Sequence, residues 1–176
     1  MASFSLKFDV LSAFDFIEHV EHPFDFITAM AQLTKNNGYI IISSGNTESL
    51  PWKISRSRNL YCANFEHISF INQDWCHYAA DKLNLQIELI KKYSHAGRLN
   101  PLKFILDSLK NIIYLTTPFV FQRLRKIKHA YFYKNGSAFA CPYSYPPPWR
   151  WTDDHLLAIF KKKGNYCKSA KFFLMR

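Results

Sequence analysis

Asp15, Glu18 and His19 place two carboxylates and an imidazole within five residues. Such a set could coordinate Mg2+ or a similar divalent ion, which prefers oxygen ligands. The plainer role for Glu18 and His19 is to stabilise the turn that leads into the next helix. A second imidazole, His67, stands among Phe65, Ile68 and Phe70. Its ordinary pKa near neutrality suits it to act as a catalytic general base toward a hydroxyl substrate. The plainer role there is a buried or capping histidine in an aromatic cluster.

The elements that must position these residues follow from local signals. Residues 5–14 are nearly continuous in apolar character, as expected of a parallel strand covered on both faces. Pro23 suits the first position of a helix, where its missing N–H would be unpaired anyway. Phe24, Ile27, Met30 and Ala31 then recur at helical spacing and form one stripe. Asp25 in the first turn and Lys35 at the other end suit the helix dipole. Asn37-Gly38 predicts the left-handed stop of that helix, and Tyr39–Ser43 is a β-branched central strand. Strand, helix, strand implies a right-handed crossover and a parallel pair. Residues 45–71 read as a polar and aromatic loop. Asn72 can cap a helix over about 73–84, followed by strands at 85–90 and 155–161. Ligands of open α/β sheets sit outside the carboxyl ends of the strands. That rule places Ala13, Phe14 and Asp15, and likewise Ser44, Gly45 and Asn46, at the mouth, with Asn46 as a candidate substrate contact.

The chain of 176 residues, 48% hydrophobic, is long enough for one ordinary globular domain with a sizeable core. No stretch reads as a membrane span, and residues 1–7 lack the basic start and apolar run of a signal peptide. Four cysteines without metal-like spacing point to reduced thiols and a cytoplasmic protein. Residues 1–90 carry six Lys/Arg against ten Asp/Glu, net −4, whereas residues 91–176 carry seventeen against three, net +14. Such asymmetry points to an anionic partner of the second half, or to a solvated basic face. Much of that charge lies in a segment over 95–152. Its first part, Pro101–Lys128, is helical in pattern with a break at Pro118. Leu102, Ile105, Leu106, Leu109, Ile112 and Ile113 mark one apolar face, with Lys103 and Lys110 off it. Three roles stay open: a surface helix at an anionic membrane, a lid over a lipid-like substrate, or a helix packed on the sheet. The second part, Tyr143–Trp151, is too rich in proline for regular helix or central strand. Trp149, Trp151 and the tyrosines could stack bases, but no nucleic-acid-binding motif accompanies them.

Phe8-Asp9-Val10 followed by Phe16-Ile17-Glu18-His19-Val20 resembles the fourth strand and following loop of class I S-adenosylmethionine-dependent methyltransferases. Asn37-Gly38-Tyr39-Ile40-Ile41-Ile42-Ser43 resembles the family's turn into its fifth strand, and Glu66-His67-Ile68-Ser69-Phe70 its histidine segment before the next helix. The nearest subgroup is the ubiquinone-biosynthesis-like O-methyltransferases. The resemblance implies an α/β, Rossmann-like sheet, mostly parallel with the last strand antiparallel, and helices on both faces. It implies S-adenosylmethionine as cofactor, flanked by Ala13, Phe14 and Asp15, and a divalent metal at the positions of Asp15, Glu18 and His19. It covers residues 1–94 as the C-terminal part of a methyltransferase core, with 95–152 as an insert, 153–163 as the final strand and 164–176 as a basic tail. The family's first three strands and its glycine-rich cofactor turn have no counterpart among the five glycines here. The expectation is therefore a truncated domain that methylates a small-molecule or lipid-like acceptor. The alternative is a non-catalytic subunit or remnant that binds a partner chain, or itself, through the exposed first strand, or binds an anionic membrane surface.

Overall fold

The computed structural model describes residues 6–63, 66–94, 100–132, 146–147 and 152–164. Four strands form one sheet in the order β1 (Phe8–Phe14), β2 (Thr34–Gly45), β4 (His155–Lys162), β3 (Leu85–Tyr93). β1 and β2 are parallel, and β4 runs antiparallel to β2 on one side and to β3 on the other. The α/β class is as the residues predict, and the reversed last strand is as the resemblance implies.

Helix α1 spans Pro23–Leu33 and begins on its proline. It buries Ile27, Met30 and Ala31 of the expected stripe. Its end differs from the expectation. The stop is Thr34, whose backbone N–H and hydroxyl both reach the carbonyl of Met30, the hydroxyl at 2.7 Å. Lys162, arriving on β4, donates to the carbonyls of Ala31 at 2.6 Å and Thr34 at 2.9 Å. A cation here satisfies orphan carbonyls and opposes the dipole. Lys35, expected in that role, instead pairs with Asp9 at 2.9 Å.

Asn37-Gly38 therefore falls inside β2. Asn37 keeps the left-handed conformation, with φ of 64°. The register steps from Phe8↔Thr34 to Val10↔Tyr39, so β2 advances five residues while β1 advances two. This is a bulge, and Gly38 lies at its tightest point. A Cβ there would stand 2.8 Å from the carbonyl oxygen of Asp9.

Residues 45–71 are more ordered than a loop. They carry two short helices, α2 (Leu50–Ser55) and α3 (Leu60–Ala63), joined by a 3-10 turn over Arg56–Arg58. Helix α4 (Gln73–Lys82) is capped as its sequence predicts, with the Asn72 side chain accepting from the N–H of Trp75 at 2.8 Å.

Ile40 and Ile42 on β2 meet Phe160 and Ala158 on β4, and all four are buried. Both α1 and α4 pack on this same face, and Phe24 touches Tyr78 between them with ring centroids 5.6 Å apart. The opposite face carries Val10, Phe14, Tyr39 and Leu89, all exposed. Helices were expected on both faces. Among the described residues α1 and α4 cover one face, and on the other these four side chains meet solvent while Ser43, near the strand ends, is buried.

The helical segment 101–132 divides where expected, into α5 (Pro101–Thr116) and α6 (Pro118–Phe132). Asn100 caps α5 through the N–H of Lys103 at 3.1 Å. Among the described residues no helix is long and apolar enough to cross a membrane. Residues 143–145, 148–151 and 165–176, which include most of the proline-rich stretch and the basic tail, lie outside the described residues.

Gly38→Ala should lower stability by roughly 1–3 kcal/mol, because backbone atoms rather than a flexible side chain must yield. Gly164→Ala, whose Cβ would meet only the Asn37 side chain at 3.6 Å, should be near neutral. Urea denaturation of the two variants beside the parent measures the difference.

Candidate active site at the strand carboxyl ends

β1 ends at Phe14, and the chain turns sharply at Asp15, which takes a positive φ of 47°. Asp tolerates that region better than most residues. The turn is held to β2: the N–H of Asp15 donates to the carbonyl of Ser43 at 3.1 Å, and the Ser43 hydroxyl donates to the Asp15 carboxylate at 3.2 Å. Phe14 is 59% exposed beside it, while Ala13 is buried in the core. The three residues expected to flank a cofactor thus divide into one core residue (Ala13), one exposed ring and one anchored carboxylate.

The 3-10 turn Ile17–His19 follows. Its Glu18 carboxylate is only 1% exposed. A buried carboxylate needs hydrogen-bond donors or its charge is costly. Tyr61 on α3 supplies one, donating its hydroxyl to Oε1 in a short hydrogen bond. Oε2 has no hydrogen-bond partner in the described structure. The same Tyr61 oxygen accepts the N–H of Gly45 at 3.0 Å. A Cβ on Gly45 would stand 2.6 Å from the Tyr61 ring, so a glycine is needed for the ring to lie there. Burial, and then the neighbouring Glu18 carboxylate, push the Tyr61 pKa far above the usual tyrosine value. It remains a donor at every physiological pH.

The segment 66–70 runs alongside. Ile68 and Ser69 both donate their N–H groups to the Glu18 carbonyl, at 2.8 and 3.0 Å, and the Ser69 hydroxyl donates to the Val20 carbonyl at 2.5 Å. These bonds bring two histidines together, with His19 and His67 ring centroids 4.9 Å apart. His19 Nδ1 contacts the carbonyl of Glu66 at 3.0 Å, and His67 Nδ1 that of Tyr61 at 2.9 Å. A carbonyl partner requires the proton on Nδ1, which assigns the lone pair of each ring to Nε2. Glu18, His19 and His67 each offer one ligand atom, and these atoms lie within 4.8 Å of one another.

This trio differs from the expected set of Asp15, Glu18 and His19. Asp15 is not in it. One carboxylate and two imidazoles suit a borderline ion such as zinc better than Mg2+, which prefers an all-oxygen shell. Backbone carbonyls on the far ring nitrogens are the usual support for histidine ligands.

Asn46 is buried at the end of β2. Its amide nitrogen donates to the carbonyl of Asp153 at 2.8 Å, its side-chain oxygen accepts from the N–H of Glu48 at 3.1 Å, and its backbone N–H donates to the carbonyl of Asp154 at 2.7 Å. Its place is a brace between the end of β2 and the start of β4. Tyr61 is the residue the sequence does not disclose. Its partners, Glu18 and Gly45, come from two distant segments, and its own neighbourhood reads as a loop.

Comparison with known proteins bears on the family and the fold. A family model described as "Methyltransferase domain" matches residues 1–90, and the chain belongs to that methyltransferase family. Among solved structures, a candidate methyltransferase of Bacillus halodurans superposes with a TM-score of 0.52 at 11% identity, over 90% of this chain and 65% of that one. The YcgJ protein of Bacillus subtilis gives 0.48 at 12% identity, again over 90% and 65%. A SAM-dependent methyltransferase of Archaeoglobus fulgidus gives 0.44 at 17% identity, over 89% and 60%. At these identities the likeness is one of fold, and the chain spans less than two thirds of each of these structures. No curated protein matches it.

Tyr61→Phe should remove the hydrogen-bond donor to Glu18 and lower stability by roughly 1–3 kcal/mol. The pH dependence has a definite sign. Above pH about 10 the unfolded chain loses the Tyr61 proton while the folded chain keeps it, so stability falls as pH rises. The variant should show a shallower alkaline fall. Thermal melts at neutral pH and at increasing pH above 9 measure both effects.

Proposed function

We propose that this chain forms one half of an S-adenosylmethionine-dependent methyltransferase domain, acting on a small-molecule or lipid-like acceptor. A polypeptide segment that pairs with β1 and covers the open face of the sheet completes the domain, whether continuous with this chain or separate. The observation that carries the reading is the coincidence of three features along one strand. Among the described residues β1 is the sheet edge. Its outward side chains Val10 and Phe14 are exposed. Its carboxyl end presents Phe14 and Asp15, where open α/β sheets bind their ligands. An unpaired edge beside an uncovered apolar face is a surface built for another strand.

The residues present fit one wall of a cofactor cleft. An exposed aromatic ring offers a face for a planar base, and an anchored carboxylate offers an acceptor for polar groups. When bound, S-adenosylmethionine supplies a methyl group activated by a positively charged sulfonium. Transfer to an acceptor depends mainly on holding donor and acceptor in line, so the protein's task is to position and to exclude water. His67 is the candidate to take a proton from an acceptor hydroxyl. Its Nδ1–H is held by the Tyr61 carbonyl, which directs the basic lone pair to Nε2. The trio Glu18, His19 and His67 supports a second use of that same lone pair, the ligation of a divalent ion. The two uses exclude each other at any one moment.

Calorimetry with S-adenosylmethionine tests the reading. The folded chain alone should show no micromolar binding. A fusion that places the first three strands and glycine-rich turn of a class I methyltransferase ahead of it should bind in that range, and Asp15→Ala should weaken the binding about tenfold, the size expected for one charge-assisted hydrogen bond. Micromolar binding by the chain alone would overturn the half-site reading. A folded fusion that binds nothing, or binds equally well with Asp15→Ala, would overturn the cofactor wall.

A further inference from the structure

Helix α5 is inverted relative to a helix of a globular core. Helices on a soluble domain turn their apolar stripe inward and their polar residues out. In α5 the buried residues are Asp107 and Asn111. They are joined across one turn, the Asn111 amide donating to the Asp107 carbonyl at 2.9 Å, and Lys110 closes on the Asp107 carboxylate at 3.0 Å. The stripe at Leu102, Ile105, Leu109 and Ile112 faces the other way, each residue more than half exposed. On α6, Phe119, Leu124 and Ile127 are also more than half exposed. Of the three roles the sequence leaves open for this segment, packing of the apolar stripe on the sheet is not the one the described structure adopts.

Charge selects what covers this surface. Residues 101–132 contain six Lys or Arg and one acidic residue, and that acidic residue is the buried, ion-paired Asp107. Arg123 lies over the Phe119 ring, 4.6 Å from its centroid, so a cation sits within the apolar patch itself. Apolar side chains interleaved with the exposed cations Lys103, Arg123 and Lys128 complement a surface that is apolar below and anionic above, which is an acidic lipid bilayer in its headgroup region. Neither helix is long and apolar enough to cross such a bilayer.

We propose that α5 and α6 form a peripheral membrane-binding hairpin that lies in the headgroup plane of anionic lipid. The hairpin is tied to the mouth of the sheet, because Arg58, in the turn that leads to Tyr61, donates to the carbonyl of Leu115 at 3.2 Å. Docking therefore brings the strand ends near the bilayer. The inference stands on the helices alone and does not require methyl transfer.

Vesicle sedimentation of the full chain tests it, with phosphatidylcholine vesicles and with vesicles containing about one third phosphatidylglycerol. Most of the protein should sediment with the anionic vesicles and little with the neutral ones, and binding should fall several-fold as salt is raised from about 0.1 to 0.5 M. Ile105→Asp with Ile112→Asp should reduce anionic-vesicle binding about tenfold or more, with circular dichroism unchanged because both positions are exposed. Arg123→Glu with Lys128→Glu should do the same without altering the apolar stripe. No binding to either vesicle would overturn the proposal, as would equal binding to both compositions or parental binding by both double variants. A parent chain that self-associates, is monomeric with Ile105→Asp and Ile112→Asp, and binds no vesicle would assign the patch to a second copy instead.

Discussion

In the described sheet, β2 and β3 do not touch. β4 stands between them, antiparallel to both, and the rest of the molecule depends on its insertion. Leu156, Ala158 and Phe160 point from β4 into the core shared by α1 and α4. Lys162 closes the end of α1, and the backbone carbonyls of Asp153 and Asp154 hold Asn46 at the end of β2. One eight-residue strand thus fixes the centre of the sheet, the end of a helix and one rim of the mouth. It joins residues more than a hundred positions apart in the chain. Such contacts form only after a large loop has been closed, so they confer stability late in folding.

At the mouth, the requirement to satisfy one buried carboxylate organises the surroundings. Glu18 takes its donor from Tyr61, and Tyr61 can lie there because Gly45 has no side chain. The tyrosine in turn positions His67 through its own backbone carbonyl, with the two rings 4.1 Å apart. A substitution at any of these residues is felt by the others, which is the ordinary behaviour of a polar network in a low-dielectric setting. The imidazole that could do chemistry is therefore rigidly supported, as a site with a chemical task requires.

Features set by neighbouring residues were legible in the sequence. Pro23 starts a helix, Asn72 caps one, and Pro118 divides one, because each acts within a turn of its own position. The strand Tyr39–Ser43 and the late strand from His155 are legible from their short runs of apolar residues, β-branched in the first. Asn37-Gly38 misleads because the helix before it is ended by Thr34 and by a lysine 128 residues away. Its left-handed residue then serves a bulge instead. The meeting of Glu18, His19 and His67 is a tertiary event, made by backbone hydrogen bonds between segments that share no local pattern. On α5 the periodicity identifies which residues share a face, yet periodicity carries no information about whether that face turns inward. In the folded chain it is Asp107 and Asn111 that are buried, and the apolar stripe that is exposed.

The one-sided cover of the sheet implies a graded resistance to local opening. Amide protons of β2 and β4 are bonded within the sheet beneath two helices, so they exchange with solvent only when the core itself opens. Among the described residues β1 bonds to β2 along one side alone, which leaves its outer amides without a strand partner beside exposed Val10 and Phe14. Those amides belong to the part of the fold that opens most readily. The strand that borders the mouth is then also the one most prepared to exchange its water for a neighbouring backbone, so the least protected part of the molecule coincides with the place where its architecture has room to grow.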